Sequence, residues 1–177
     1  MRESIGLAGR SAVVTGAGGG LGRSEALALA AAGARVVVND VGENAKKVAD
    51  AIVAAGGTAM PCVADVADWE DSKRLIDVTL EWFGGLDALV NNAGITRDRM
   101  LVSMAEQEWD DIARVNLKGH CSPLRHAAAY LRERSKAGEP VAARLINSRS
   151  GAGVLGSSGQ GNHSAAKMYI VSVSENR

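Results

Sequence analysis

Apolar runs of strand length alternate with helix-period stretches along the chain, and glycines mark most of the changes. Ser11–Thr15 reads as a first strand. The Ala/Leu-rich stretch Gly20–Ala32, closed by Gly33, reads as a helix. Arg35–Asp40 reads as a second strand, Glu43–Ala55 as a helix ended by Gly56-Gly57, and Thr58–Val63 as a third strand. Over Asp68–Phe83, the residues Leu75, Ile76, Val78, Thr79 and Phe83 recur at helical spacing. Asp68 is the expected N-cap, with Asp71 in the first turn, and Gly84-Gly85 the stop. Leu86–Asn91 is a continuous apolar run of the kind buried on both faces of a sheet. A long helical stretch from Ala105 to Ser135 contains Pro123, which predicts a kink or break. Ala143–Asn147 reads as a fifth strand, Gly151–Gly161 as a glycine/serine-rich loop, and Ser164–Val173 as a final helix. Repeated strand–helix units predict an α/β fold, a parallel sheet with helices on both faces. No linker or internal repeat divides the chain, so residues 1–177 are expected to form one domain.

Composition refines this picture in two places. Hydrophobic residues make up 46% but aromatics only 3%, so Ala, Val, Leu and Gly must build the core. Lys+Arg and Asp+Glu both number 20, a balance that gives no hint of a surface for nucleic acid or an anionic membrane. The basic cluster Arg132, Arg134 and Lys136 reads as a solvated helix end, where cations suit the helix dipole. Cys62 and Cys121 lack metal-ligand spacing and read as two buried or half-buried thiols, with no metal implied. No signal-peptide pattern or run of membrane-span length is present, so a cytoplasmic location is expected.

The first candidate chemistry lies at Thr15-Gly-Ala-Gly-Gly-Gly-Leu-Gly22, directly after the first strand and opening the first helix. That arrangement places helix N-terminal N–H groups against a pyrophosphate, and glycine lets the phosphate approach. A glycine turn by itself is weak evidence. Here Asp40 closes the second strand roughly 20 residues on, as the dinucleotide-binding pattern requires.

Three further segments narrow the reading. They are Asn91-Asn92-Ala93-Gly94 after the fourth strand, Asn116 on the following helix, and Ser148-Arg149-Ser150 ahead of His163-Ser-Ala-Ala-Lys167. Together with Thr15–Gly22 they resemble the short-chain dehydrogenase/reductase family, over about residues 8 to 167. Within it, Asn91–Asp98 is similar to two branches. One is the hydroxyacyl-CoA dehydrogenase module of multifunctional β-oxidation proteins; the other is the ketoacyl carrier-protein reductases. Asn39-Asp40-Val41-Gly42 looks like the first. A carboxylate at Asp40 also accepts from ribose hydroxyls and repels a 2′-phosphate, which favours NAD over NADP.

The resemblance implies a Rossmann-type doubly wound sheet, C-terminally shortened, and assigns roles. Gly16, Gly18, Gly20, Leu21 and Gly22 would cradle the pyrophosphate, and Asp65 and Val66 would flank the adenine. Asn92, Ala93 and Gly94 would support the middle of the cofactor and brace the sheet. Ser150 would bond the substrate oxygen, Lys167 the nicotinamide ribose, and Asn116 a relay water. Taken singly, Asp65 reads equally as a helix cap, Asn116 as a solvated helix residue and Ser150 as one loop serine among several. The implied function is NAD-dependent oxidation of a secondary alcohol on a small molecule, 3-hydroxyacyl-CoA-like or similarly bulky, by a homodimer or homotetramer. The alternatives are a non-catalytic nucleotide-binding or scaffold member and an NADPH-dependent ketoacyl reductase.

The sequence departs from the family at the centre of its chemistry. The general acid/base is a tyrosine four residues before the lysine; here that position is His163. Neighbouring positive charge lowers a phenol's pKa from ~10 toward working pH, but it disfavours imidazolium, so His163 is expected to be neutral. Arg149 stands where a small residue is usual. The chain also stops at Arg177, where relatives continue with elements that complete the substrate pocket.

Overall fold

A computed structural model describes residues 6–174. Five parallel strands, β1 (Ser11–Val14), β2 (Arg35–Asp40), β3 (Thr58–Val63), β4 (Ala88–Asn91) and β5 (Arg144–Asn147), lie in the order β3-β2-β1-β4-β5. The helices are α1 (Gly20–Ala31), α2 (Asn44–Ala54), α3 (Trp69–Phe83), α4 (Glu106–Ile112), α5 (Gly119–Lys136), α6 (Ala152–Leu155) and α7 (Gly161–Ser174). Observed boundaries differ from the expected ones by one or two residues at most strand and helix ends, the usual scatter of terminal turns.

Period-two alternation sends neighbouring strand residues to opposite cores. Val14, Val36, Val38 and Val90 pack with Ala26, Ala30, Val48 and Ile52 of α1 and α2. Val13, Val37 and Leu89 pack on the other face with Leu75, Ile76 and Ala127 of α3 and α5. Each fully buried Val, Leu or Ile contributes about 1.5–3 kcal/mol, so a core without large aromatics still holds the sheet. The Asp68 carboxylate caps α3 by accepting from the Asp71 N–H at 2.9 Å, and Gly84, at φ +74°, ends it in the left-handed conformation.

Two expectations are corrected. The helical stretch after residue 105 does not break at Pro123, since α5 runs through it to Lys136. The irregularity lies upstream, in a π turn over Ala113–Lys118. Pro123 falls early in α5, where its missing N–H removes one bond near the helix start. The expected loop Gly151–Gly161 contains α6, and α7 begins at Gly161, ahead of Ser164. Among the described residues no helix is long and apolar enough to cross a membrane.

Strand order reverses between β1 and β4, and the loops leaving their C-terminal ends diverge there. That divergence opens the cleft that holds the candidate site.

Candidate active site

The cleft has a volume of about 690 Å³. Its floor is the turn after β1. Gly16 sits at φ +62°, and a Cβ there would meet Ala93 Cα at 2.8 Å. Gly20 is also left-handed, and nothing lies within 4 Å of the Cβ positions of Gly19 and Gly20, which leaves open space at the start of α1. That is the geometry a phosphate needs. Gly18, Leu21, Asp40, Asp65, Val66, Asn92, Ala93 and Gly94 line the same cleft. Gly22 does not. It lies behind the turn, where a Cβ would run into Asn92 Nδ2 and come within 2.6 Å of the Gly16 carbonyl oxygen. Its part is close packing of α1 on the sheet rather than contact with a ligand.

The loop after β4 is bound tightly to the loop after β1. The Asn92 and Ala93 N–H groups donate to Thr15 Oγ1 at 3.0 and 3.1 Å. Asn92 Nδ2 donates to the Thr15 carbonyl at 3.0 Å. Asp40 ends β2 at the cleft rim, and its Oδ2 accepts from the Gly18 N–H at 2.9 Å. The carboxylate is thus oriented by the glycine turn itself. Asp65 lies two residues beyond β3 and pairs with Arg114 at 2.6 Å.

Sequence reasoning missed several lining residues. Arg97 and Arg114 both border the cleft, paired with Asp111 at 3.1 Å and Asp65. Asn39 also lines it and ties β2 to β3 through the Cys62 and Ala64 carbonyls. Only the position of Asn39 and Val41 beside Asp40 signalled this role; nothing local marks Arg114.

None of the four proposed catalytic residues lines the cleft; Asn116 is joined to it through Ile95, which does. Asn116 sits in the π turn, a helix irregularity often found at functional sites, and is fully buried. Its Oδ1 accepts from the Ile95 N–H at 2.8 Å, and its Nδ2 donates to the Ile95 carbonyl at 2.8 Å. Nδ2 also lies 3.1 Å from His163 Nδ1. Both amide hydrogens therefore face protein atoms, the Ile95 carbonyl oxygen and His163 Nδ1. Burial, and next the positive charge of Lys167, push the His163 pKa down, while the Ile95 carbonyl and Asp98 oppose them more weakly. The ring is neutral, as the sequence implied.

Lys167 lies one helical turn from His163 on the same face of α7. Its Nζ donates to the Ser148 carbonyl at 2.8 Å, and burial lowers its pKa to about 8. At neutral pH the ammonium is still mostly protonated. Ser150 follows β5; its Oγ accepts from the Ala152 N–H at 3.2 Å, leaving its own hydrogen free to donate. Arg149 between them is exposed. His120, which sequence reasoning did not single out, is buried and neutral. Burial first, then the Lys167 charge, holds its pKa near 3.

Gly153 seats α6 on this group. A Cβ there would lie 2.7 Å from the Lys167 carbonyl carbon and 2.8 Å from Lys167 Cβ, and backbone cannot swing aside. Gly153→Ala should therefore destabilise the fold by about 1–3 kcal/mol, the usual range for overpacking, as read by urea unfolding. An unchanged midpoint would mean that α6 yields freely.

Comparison with known proteins identifies the family. The family model described as short chain dehydrogenase matches residues 10–176. A hydroxyacyl-CoA dehydrogenase of Mycobacterium tuberculosis is 47% identical, over 94% of this chain and 55% of its own length. A 3-oxoacyl-[acyl-carrier-protein] reductase of Staphylococcus aureus is 43% identical, over 94% of this chain and 66% of its own. A crystal structure of a short chain dehydrogenase from Mycobacterium avium superposes with a TM-score of 0.93 at 53% identity, covering 94% of this chain and 63% of that one. The chain thus spans between about half and two thirds of the length of these relatives.

Proposed function

The chain belongs to the short-chain dehydrogenase family, and on that premise we propose that it oxidises the secondary alcohol of a 3-hydroxyacyl-CoA-like substrate with NAD. Members of the family use a nicotinamide cofactor, and the residues present fit one. The glycine turn leaves open space where side chains would block a phosphate, and the cleft runs from there to Ile95. The observation that carries the choice of NAD is Asp40. Its carboxylate is held at the rim by the Gly18 N–H, with Oδ1 free for a ribose hydroxyl. The arginines that line the cleft are paired with carboxylates and so do not offer a 2′-phosphate a free cation.

When bound, the nicotinamide would supply the hydride acceptor. The chain's own residues bind and orient. Gly16, Gly18, Gly20 and Leu21 would hold the pyrophosphate, Asp65 and Val66 the adenine, and Asn92–Gly94 the middle of the cofactor, while Gly22 keeps α1 close to the sheet. Lys167, anchored on Ser148, would bind the nicotinamide ribose, and Ser150 would offer its hydroxyl hydrogen to the substrate oxygen. His163 occupies the acid/base position. Its identity favours a second reading, a nucleotide-binding member of the family with little or no turnover. The reductase reading, with NADPH, is opposed by Asp40.

Calorimetric titration with NADH and NADPH, beside an assay of 3-hydroxyacyl-CoA oxidation, tests these readings. Tight NADH binding with measurable turnover supports the dehydrogenase. Binding without turnover supports the non-catalytic member, and a preference for NADPH overturns the choice of cofactor.

A further inference from the structure

We infer that Asn116 holds His163 as the Nε2–H tautomer, so that the ring offers a hydrogen rather than a lone pair to a substrate oxygen. The inference starts from the Asn116 amide, whose orientation is determined by Ile95. In the observed sense, Oδ1 faces the Ile95 N–H and Nδ2 faces the Ile95 carbonyl, both at 2.8 Å. Turning the amide over would set donor against donor and acceptor against acceptor in a fully buried place, which costs about 1–3 kcal/mol for each group left unsatisfied. The group 3.1 Å from His163 Nδ1 is therefore an N–H donor. The Ile95 carbonyl, the other acceptor beside the ring, is already bonded by Asn116 Nδ2 at 2.8 Å, so Nδ1 accepts from the amide and the single hydrogen of the neutral ring resides on Nε2. The charged neighbours on α7 and the loop after β4, Lys167 and Asp98, act on the ring in opposite senses, with Lys167 the stronger.

A phenol at this position gives up a proton and takes it back at one oxygen. The ring held here is different, because its one basic nitrogen is already occupied by Asn116. It orients or polarises an oxygen, but it takes no alcohol proton until the tautomer is exchanged. Asn116 is thus a positioning residue acting through His163. The functional consequence rests on the dehydrogenase reading; the tautomer itself does not.

Long-range proton–nitrogen NMR of the ¹⁵N-labelled chain reads the tautomer directly. His163→Gln, whose spectrum lacks one of the histidine spin systems, assigns the resonance. The expected result is a neutral ring with hydrogen on Nε2 at neutral pH. In Asn116→Asp a carboxylate that only accepts should draw the hydrogen to Nδ1, reversing the two nitrogen shifts. An Nδ1–H ring or an imidazolium in the parent overturns the inference. So does a folded Asn116→Asp variant with an unchanged ring. Should that variant not fold, the parent spectrum decides alone. Failure of the dehydrogenase reading would appear separately, as absent turnover beside an Nε2–H ring.

Discussion

His163→Tyr is expected to raise 3-hydroxyacyl-CoA oxidation by about 10²-fold or more, the range of general acid–base contributions. The parent ring is a poor base on two counts. Burial and Lys167 keep it neutral, and its Nδ1 is taken up by the Asn116 amide. A phenol at the same place on α7 would feel the same Lys167 ammonium, which favours phenolate. Lys167 titrates near pH 8, so below that pH its charge is present to act. The sign follows. In the variant the rate should climb with pH as the phenol ionises, whereas the parent should lack that rise. The measurement is the pH profile of kcat/KM for both proteins, with NADH affinity as a control. Unchanged turnover with intact NADH binding would sink the dehydrogenase reading and favour the non-catalytic one.

Asp40→Ala should weaken NADH binding by about 10- to 100-fold. Hydrogen bonds to a charged group contribute about 1.5–3 kcal/mol, and each 1.4 kcal/mol is a factor of ten. NADPH should lose less, because the same substitution removes the carboxylate that repels a 2′-phosphate. The gap between the two cofactors therefore narrows. Since Asp40 also accepts from the Gly18 N–H, the variant's thermal midpoint must be followed alongside. An equal loss for both cofactors would mean that Asp40 only supports the turn.

The fold was legible because its signals are local. Val13 and Val14 alternate between two cores, Asp68 caps α3 through Asp71 three residues on, and Gly84 ends that helix. The candidate cleft was legible for a related reason. A glycine turn after one strand and a carboxylate at the end of the next need only the regular geometry of a strand–helix–strand unit to meet. Pro123 shows where local reading failed. Its chemistry predicts a break, but α5 runs through it, and the irregular backbone lies instead in the π turn around Asn116, whose side chain bonds Ile95 and meets His163 of α7.

The sequence by itself determined the order of the strands, the parallel sheet and the glycine turn after β1. Tertiary structure alone decided what those residues do to one another. It commits the Asn116 side chain to Ile95 and His163, ties Lys167 to the Ser148 carbonyl, buries His120 within reach of the Lys167 charge, and pairs Arg114 with Asp65 from 49 positions away. The physical reason is range. Periodicity, caps and turns depend on neighbours within a turn or two, and are written in short stretches of chain. Hydrogen-bond direction, tautomer and desolvation depend on groups that meet only when the strand order β3-β2-β1-β4-β5 brings distant segments to the same edge of the sheet.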